Sequence, residues 1–581
     1  MDYLKEYEYW LSKVTPSEKE ELLGLTDSEI KERFTLPLSF GTAGMRGILG
    51  MGVYRMNVYT VARATKGLAK FICSMGEEAK NRGVVISYDT RIMSTEFAIT
   101  VARVLANFKI KVMLFENVRP VPICSFAVRR HNAFAGVMIT ASHNPSKYNG
   151  YKVYGEDGAQ MSPEDTEKVV KYIDEIEDYF AYETIDAKIE ISDIRAKEGK
   201  KIGEYISIIG KETDEAYYDV IEKLCLSKDC IDKVKQDIKI VYTPIHGSGY
   251  IPVTDMLKRL GLPLQVVESQ TSFDGTFPTV ELPNPEMPEA MERAVALAKK
   301  VNSTIAIGTD PDCDRMGIAV KDDNGEFVLL NGNQIGVLLM DYILSRHKET
   351  GTLPKNAAVI KTIVTTNMAT KVAEYYGAKM FNVLTGFKFI GEKIKEWEKT
   401  GEYTYMFGYE ESYGSLIGTH ARDKDAVVAS MIVCDMACYY YSQNKTIYQR
   451  LIELFEQFGY YKELSVSTAF EGLDGLDKMN GIMAKLKDTF VKEIAGNTVN
   501  NIEDYSKSVR KFADGREEKI LLPKSNVLLY NLDCGDWVCV RPSGTEPKLK
   551  TYSSARGTSM ERAENLAKDY IEDIKKIIFS L

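Results

Sequence analysis

Thr304-Ile305-Ala306-Ile307-Gly308-Thr309-Asp310-Pro311-Asp312-Cys313-Asp314-Arg315 is an apolar run of strand length that ends in a turn full of carboxylates. The same arrangement recurs on either side of it. Residues 136–139 lead into Thr140-Ala141-Ser142-His143-Asn144-Pro145, and residues 403–407 lead into Gly408-Tyr409-Glu410-Glu411-Ser412-Tyr413-Gly414. Each of the three follows another apolar run with a polar turn. Residues 84–87 precede Tyr88-Asp89-Thr90-Arg91, residues 238–242 precede Thr243-Pro244-Ile245-His246-Gly247, and residues 359–363 precede Val364-Thr365-Thr366-Asn367. A buried strand entering a turn and then a helix fits every case, so one α/β plan is used three times. The spacing is irregular, which excludes a solenoid. In open α/β sheets ligands collect at loops beyond the carboxyl ends of strands, so three such turns are expected to face one cleft.

The last stretch reads differently. Residues 460–467, 520–522, 527–530 and 537–541 are strand-like, and residues 560–579 form a long helical pattern. This predicts an α+β domain with its own basic turn, Arg541-Pro542-Ser543-Gly544-Thr545-Glu546-Pro547-Lys548. Boundaries near 205, 325 and 455 divide the chain into domains 1–205, 206–325, 326–455 and 456–581. Its 581 residues fit that division at roughly 150 residues per domain.

A net charge of −9 lacks the basic footprint of a general nucleic-acid binder. The longest apolar stretch, residues 426–441, is interrupted by Asp435 and is too short to span a membrane, which takes roughly 20 residues. The N-terminus MDYLKEYEYWLSKV has no apolar signal core and reads as a surface helix, so the expected location is the cytoplasm. Nine scattered cysteines without a CxxC pair read as free thiols.

The turns carry the chemistry. Asp310, Asp312 and Asp314 alternate, and their carboxylates repel one another unless a cation lies between them. Hard oxygen ligands suit Mg²⁺. An EF-hand requires glycine and glutamate where Arg315 and Lys321 stand. An aspartyl-nucleophile phosphatase turn would not place Asp314 at its fifth position. Ser142 follows a strand, but outside the G-x-S-x-G pattern of a hydrolase, and its neighbour His143 is expected to be poorly placed as its base. A serine near a metal and several bases fits phosphoryl transfer, although a Ser-His-Asn-Pro turn could also be a helix cap. Arg541, with Ser543, Thr545 and the backbone around Gly544, offers a fork and a concavity for phosphate oxygens. Glu410, Glu411 and Ser412 suit vicinal sugar hydroxyls.

Taken in order, these loops resemble the α-D-phosphohexomutase superfamily, and within it the phosphoglucomutase branch. The resemblance runs from about residue 40 to residue 549. It includes Thr42-Ala43-Gly44-Met45-Arg46-Gly47, Asn149-Gly150-Tyr151-Lys152, the turn from Asp310 to Arg315, Thr385-Gly386-Phe387-Lys388, the Glu410 turn and the Arg541 turn. It implies an α/β protein of four domains around a central cleft: three related α/β domains with mixed sheets and a C-terminal α+β domain. It also implies a phosphoserine at Ser142, with Asp310, Asp312, Asp314 and the Ser142 phosphate holding one Mg²⁺. Arg46, His143, Lys152 and Arg315 match positions around the transferred group. Lys424, in Arg422-Asp423-Lys424-Asp425, matches a lysine near the reacting hydroxyl. Thr385, Gly386, Lys388, Glu410 and Ser412 match the sugar-binding loops, and Arg541, Ser543, Gly544 and Thr545 match the clamp on the non-reacting phosphate.

Two features depart from many members: Pro311 replaces a glycine in the metal turn, and the sugar loop lacks a histidine found in some dual phosphomannomutases. Both fit a phosphoglucomutase-like subgroup that also includes phosphopentomutases and a sugar-bisphosphate synthase. The implied reaction exchanges phosphate between the 1- and 6-positions of glucose through glucose 1,6-bisphosphate. The expected partners are therefore small sugar phosphates, with neither nucleic acid nor membrane. Phosphomannomutase, phosphopentomutase, a metal-dependent sugar phosphatase and a non-catalytic sugar-phosphate binder are the competing readings.

Overall fold

A computed structural model describes residues 2–41, 44–182, 184, 189–195, 197–470, 475–542 and 548–580. The chain gathers into two compact units. Met1–Leu330, Gly391–Thr400 and Tyr413–Asn444 form the first, and Asn331–Ile390, Gly401–Ser412 and Lys445–Leu581 form the second.

The first unit begins with a helix over Tyr3–Lys13, capped by the Asp2 carboxylate. It lies at the surface as expected, yet it buries Trp10 edge-on against Phe34 and Tyr59. The first sheet has seven strands: β1 (Met45–Ile48), β2 (Val84–Tyr88), β3 (Val112–Phe115), β4 (Ala135–Ile139), β5 (Tyr148–Tyr154), β6 (Lys201–Ile202) and β7 (Ile206–Ile209). Their order is β1-β5-β4-β2-β3-β7-β6. β4, β2 and β3 run parallel, and β5 returns antiparallel to β4. The second sheet repeats this scheme with β8 (Ile240–Thr243), β9 (Leu264–Val266), β10 (Ile305–Thr309), β11 (Met316–Lys321) and β12 (Phe327–Leu330), in the order β12-β11-β10-β8-β9. β10, β8 and β9 are parallel, and β11 is antiparallel to β10. The central strands of both sheets are buried along their length, which explains their unbroken apolar runs. The apolar run at residues 426–441 is a buried helix, Ala426–Tyr441. Its interior Asp435 is satisfied by the backbone N–H groups of Leu226 and Ser227, at 2.6 and 3.1 Å.

In the second unit β13 (Ala357–Thr362) lies between β14 (Lys379–Val383) and β15 (Thr404–Tyr409), parallel to both. This is the third use of the parallel core. β16 (Ser415–Ile417) follows in the chain and belongs to the first unit. The C-terminal sheet consists of β17 (Tyr460–Ala469), β18 (Glu493–Ile494), β19 (Asn497–Asp504), β20 (Val509–Phe512), β21 (Glu517–Lys519), β22 (Leu528–Leu532), β23 (Trp537–Pro542) and β24 (Lys548–Gly557). Its order is β17-β24-β23-β22-β19-β20-β21, with β18 paired to β19. Side chains alternate across it. Leu528, Tyr530, Val538 and Val540 meet the helix Met560–Ser580, while Leu529, Trp537, Cys539 and Tyr552 join Ile363, Val364 and Leu384 on the opposite face. The strand expected at residues 520–522 is not formed. β21 ends before it, and Leu521, 89% exposed, has no face to bury. Three related α/β segments followed by a sheet-rich C-terminal domain are the fold class expected from the sequence. All nine cysteines are free.

Candidate active site

Ser142 stands in the turn joining β4 to β5, at φ +51°, a left-handed conformation uncommon outside glycine. Strain of this kind persists only where the surroundings enforce it. Here the Ser142 backbone N–H donates to Thr140 Oγ1 at 2.8 Å. Beneath the turn the buried Arg91 guanidinium donates to the carbonyls of Pro145 and Tyr148, both at 3.0 Å, and to those of Ser142 and Asn144. Arg91 itself lies 3.5 Å from Asp89 and over the ring of Phe277. Ser142 Oγ donates to Asp310 Oδ2 at 2.8 Å and lies 3.2 Å from His143 Nδ1. The left-handed bend brings the His143 ring to the hydroxyl, although the hydroxyl's one proton is given to Asp310. Burial, reinforced by Arg315 and Arg46, pushes the His143 imidazole well below its ordinary value.

Asp310, Asp312 and Asp314 are buried at the end of β10, and one oxygen from each lies within 4.8 Å of the others. Cys313, at φ +52°, folds the turn between them. Asp310 Oδ1 accepts from the backbone N–H groups of Asp314 and Arg315, at 3.1 and 3.0 Å. Asp312 Oδ2 accepts from Lys152 Nζ at 2.9 Å and Thr140 Oγ1 at 3.1 Å, and Asp314 Oδ2 lies 3.1 Å from Lys424 Nζ. The remaining oxygens, Asp312 Oδ1 and Asp314 Oδ1, are buried and accept no hydrogen bond among the described residues. Buried carboxylate oxygens without donors are what a hard divalent cation satisfies, so the donor set fits a metal. Burial and the two neighbouring aspartates hold Asp310 well above the usual carboxylate range. Burial also raises Asp312, but Lys152, a hydrogen bond with Asp310 and Lys424 together hold that group below the range.

Lys424 is fixed by groups that sequence reasoning did not single out. Asp423, buried beside it, accepts from Lys424 Nζ at 2.9 Å, from the Tyr154 hydroxyl at 2.9 Å and from the Gln160 amide at 3.2 Å. The next residue, Asp425, caps the helix Ala426–Tyr441 through the N–H groups of Val427 and Val428, which holds the lysine at a helix start. The only sequence signal for this cluster was the alternation Arg422-Asp423-Lys424-Asp425. Arg46, on β1, donates to Asn144 Oδ1 at 3.1 Å, and Arg315 pairs with Glu286 at 2.6 Å.

In the second unit the Gly386 N–H donates to Glu410 Oε1 at 2.8 Å, and Arg541 donates to Thr385 Oγ1. Gly386 takes φ +116°, which only glycine adopts freely. Ser412 follows in the same turn as Glu410, and Lys388 opens the helix Lys388–Thr400. Glu411, between Glu410 and Ser412, accepts from Thr362 Oγ1 at 3.1 Å, and burial, with Glu410 beside it, pushes it up to about 7. Thr42 and Ala43 of the first motif, and Ser543, Gly544 and Thr545 of the basic turn, lie outside the described residues.

The phosphoglucomutase/phosphomannomutase family matches this chain four times in order: its alpha/beta/alpha domain I at residues 37–180, domain II at 215–325, domain III at 331–458 and its C-terminal domain at 480–572. A phosphoglucomutase of Staphylococcus aureus is 37% identical over 558 residues, covering 96% of this chain and 95% of that protein. Two solved structures share the fold. One is parafusin, an exocytosis-sensitive phosphoprotein (phosphoglucomutase) of Paramecium in an open form, with a TM-score of 0.67, 18% identity and coverage of 92% and 94% of the two chains. The other is a phosphoglucomutase/phosphomannomutase family protein of Burkholderia thailandensis, with a TM-score of 0.62, 17% identity and coverage of 92% and 95%. The chain belongs to the phosphoglucomutase/phosphomannomutase family. Among its described residues, no helix is long and apolar enough to cross a membrane.

Proposed function

We propose that this chain interconverts α-D-glucose 1-phosphate and glucose 6-phosphate as an intramolecular phosphotransferase, with Ser142 carrying the phosphate. The observation behind this reading is the Ser142 hydroxyl, strained into place 2.8 Å from Asp310 in a buried turn of three aspartates bordered by Lys152 and Lys424. Family membership and the similarity to a phosphoglucomutase along nearly the whole chain support it.

In the proposed cycle the free hydroxyl oxygen of a sugar monophosphate attacks the phosphorus on Ser142. A new O–P bond forms, the bond to Ser142 Oγ breaks, and the hydroxyl proton passes to a base. The glucose 1,6-bisphosphate so formed turns end for end, and Ser142 takes back the other phosphate. Lys424, His143 and Lys152 are the proton-handling and charge-stabilising groups, with Arg46 and Arg315 facing the transferred phosphoryl oxygens. Asp310, Asp312, Asp314 and the Ser142 phosphate would hold Mg²⁺, which supplies charge neutralisation at the transferring group. Thr385, Gly386, Lys388, Glu410 and Ser412 are assigned to the sugar, and Arg541, Ser543, Gly544 and Thr545 to the distal phosphate. Domains 1–205, 206–325, 326–455 and 456–581, and a cytoplasmic location, complete the proposal.

A coupled assay comparing glucose 1-phosphate, mannose 1-phosphate and ribose 1-phosphate tests it. The glucose ester is expected to have the highest kcat/KM. A higher value for ribose 1-phosphate makes the chain a phosphopentomutase, and release of free phosphate without isomerised product makes it a phosphatase.

A further inference from the structure

The second unit contains a cavity of about 340 Å³ that none of the roles above uses. Its lining includes Lys361, Asn367, Glu503, Arg510, Lys519 and Trp537. Lys361, on β13, is 2% exposed. Its ammonium donates to the Thr365 carbonyl at 3.0 Å and reaches Asn367 Oδ1 at 3.4 Å, and it makes no ion pair among the described residues. A lysine buried without a carboxylate partner is rare, because neither acceptor replaces the solvation of its charge. Burial lowers this amine to about 8, against the more distant pull of Glu463 and Glu411.

Trp537, at the start of β23, is the second anomaly. It is 2% exposed, and its indole Nε1–H finds no acceptor among the described residues. A buried donor left unmet forfeits its hydration without replacement. The acid of the lining offers no relief: Glu503 already accepts from Arg510 at 2.7 and 2.9 Å and from the Tyr505 hydroxyl. The wall therefore has an excess of donors and positive charge, which an acceptor-only, negatively charged guest would satisfy. The volume is at the low end of the roughly 300–1,000 Å³ of small-molecule sites, so the guest is a metabolite rather than a macromolecule. Trp537 precedes Arg541 by four residues on one strand, about 13 Å at the usual rise, which separates this cavity from the proposed phosphate clamp.

We propose that this cavity binds a small organic anion, a carboxylate or a phosphate ester, whose acid group takes hydrogen bonds from the Lys361 ammonium and the Trp537 indole. Replacing Trp10 and Trp397 by phenylalanine leaves Trp537 as the lone tryptophan of the full-length chain, and its emission is then followed against inorganic phosphate, acetate and neutral glucose. Phosphate or acetate should give a saturable change, and the stronger of the two identifies the acid class. Glucose should give none. The change should persist in Arg541→Ala, weaken by about tenfold in Lys361→Met, equivalent to about 1.4 kcal/mol, and return in Lys361→Arg. If the two phenylalanine replacements weaken the fold, the same variants are compared in the natural tryptophan background by the rise in melting temperature that each anion produces. The proposal is overturned if neither anion produces a saturable effect, if the effect is unchanged in Lys361→Met, or if Arg541→Ala abolishes it.

Discussion

Asp312 divides its two oxygens between opposite tasks. One is held by Lys152 and Thr140, and the other accepts no hydrogen bond among the described residues. Asp312→Asn would keep the shape but remove a negative charge and one hard ligand. The variant is expected to fold normally and to lose most activity, and chelation should silence the natural enzyme until Mg²⁺ is restored. Undiminished activity in excess chelator would contradict the metal assignment. Asp423 stands next to Lys424, a residue assigned above to proton handling. It holds Lys424 against Asp314 through an anchor that also includes Tyr154 and Gln160. Asp423→Asn should therefore lower kcat by about tenfold or more while KM for the sugar phosphate changes little, as expected when a group at the reacting centre is misplaced without loss of binding. Asp423→Glu should recover part of the loss. A rise in KM at unchanged kcat would show that Asp423 serves binding instead.

The turn after β15 shows how two adjacent carboxylates can serve different partners. Glu410 caps the Gly386 N–H, while Glu411 turns inward to Thr362 and is pushed up to about 7, from an ordinary 4.5, by burial and by Glu410. Because its folded value is raised, the folded chain binds more protons than the unfolded chain between about pH 4.5 and 7. Its contribution to stability is therefore favourable at low pH and lost as pH rises through that window. Glu411→Gln cannot ionise. In urea unfolding at about pH 5 and about pH 8, the natural chain should lose roughly 1–3 kcal/mol more than the variant over that interval. Parallel behaviour of the two proteins would refute the shift. At this scale the sequence was informative where chemistry is local. Six apolar runs and their turns became β2, β4, β8, β10, β13 and β15, because strands buried on both faces leave unbroken apolar runs. Burial along one short run was not legible at residues 520–522, where composition resembles a strand but no neighbouring strand pairs with it. Nor were the supports of the site. Arg91 under the Ser142 turn, and Tyr154 and Gln160 around Asp423, come from segments far apart in the chain, and no local pattern links them.

Across the whole molecule the proposed roles fall into two sets. The covalent relay and the carboxylate trio lie in the first unit, whereas the residues assigned to sugar hydroxyls and distal phosphate lie in the second. If the assignments hold, binding and turnover should separate on mutation. Ser142→Ala removes the phosphate carrier and leaves Thr385, Glu410, Ser412 and Arg541 unaltered. It should bind glucose 1-phosphate with an affinity near that of the natural protein, by calorimetry, while turnover falls by orders of magnitude. Losing a covalent relay closes the route, whereas losing one positioning contact only slows it. The natural protein in its active form should carry a species about 80 Da heavier on the peptide containing Ser142, the mass of one phosphoryl group. Excess sugar monophosphate without bisphosphate should discharge that species as the intermediate escapes. Near-normal turnover in Ser142→Ala, or a phosphoryl group found only on Asp310, Asp312 or Asp314, would transfer the covalent role to a carboxylate and point to the phosphatase class. Loss of binding together with turnover would mean that the Ser142 turn itself holds the sugar phosphate, because the strained backbone at φ +51° and its Arg91 support would then be serving substrate affinity.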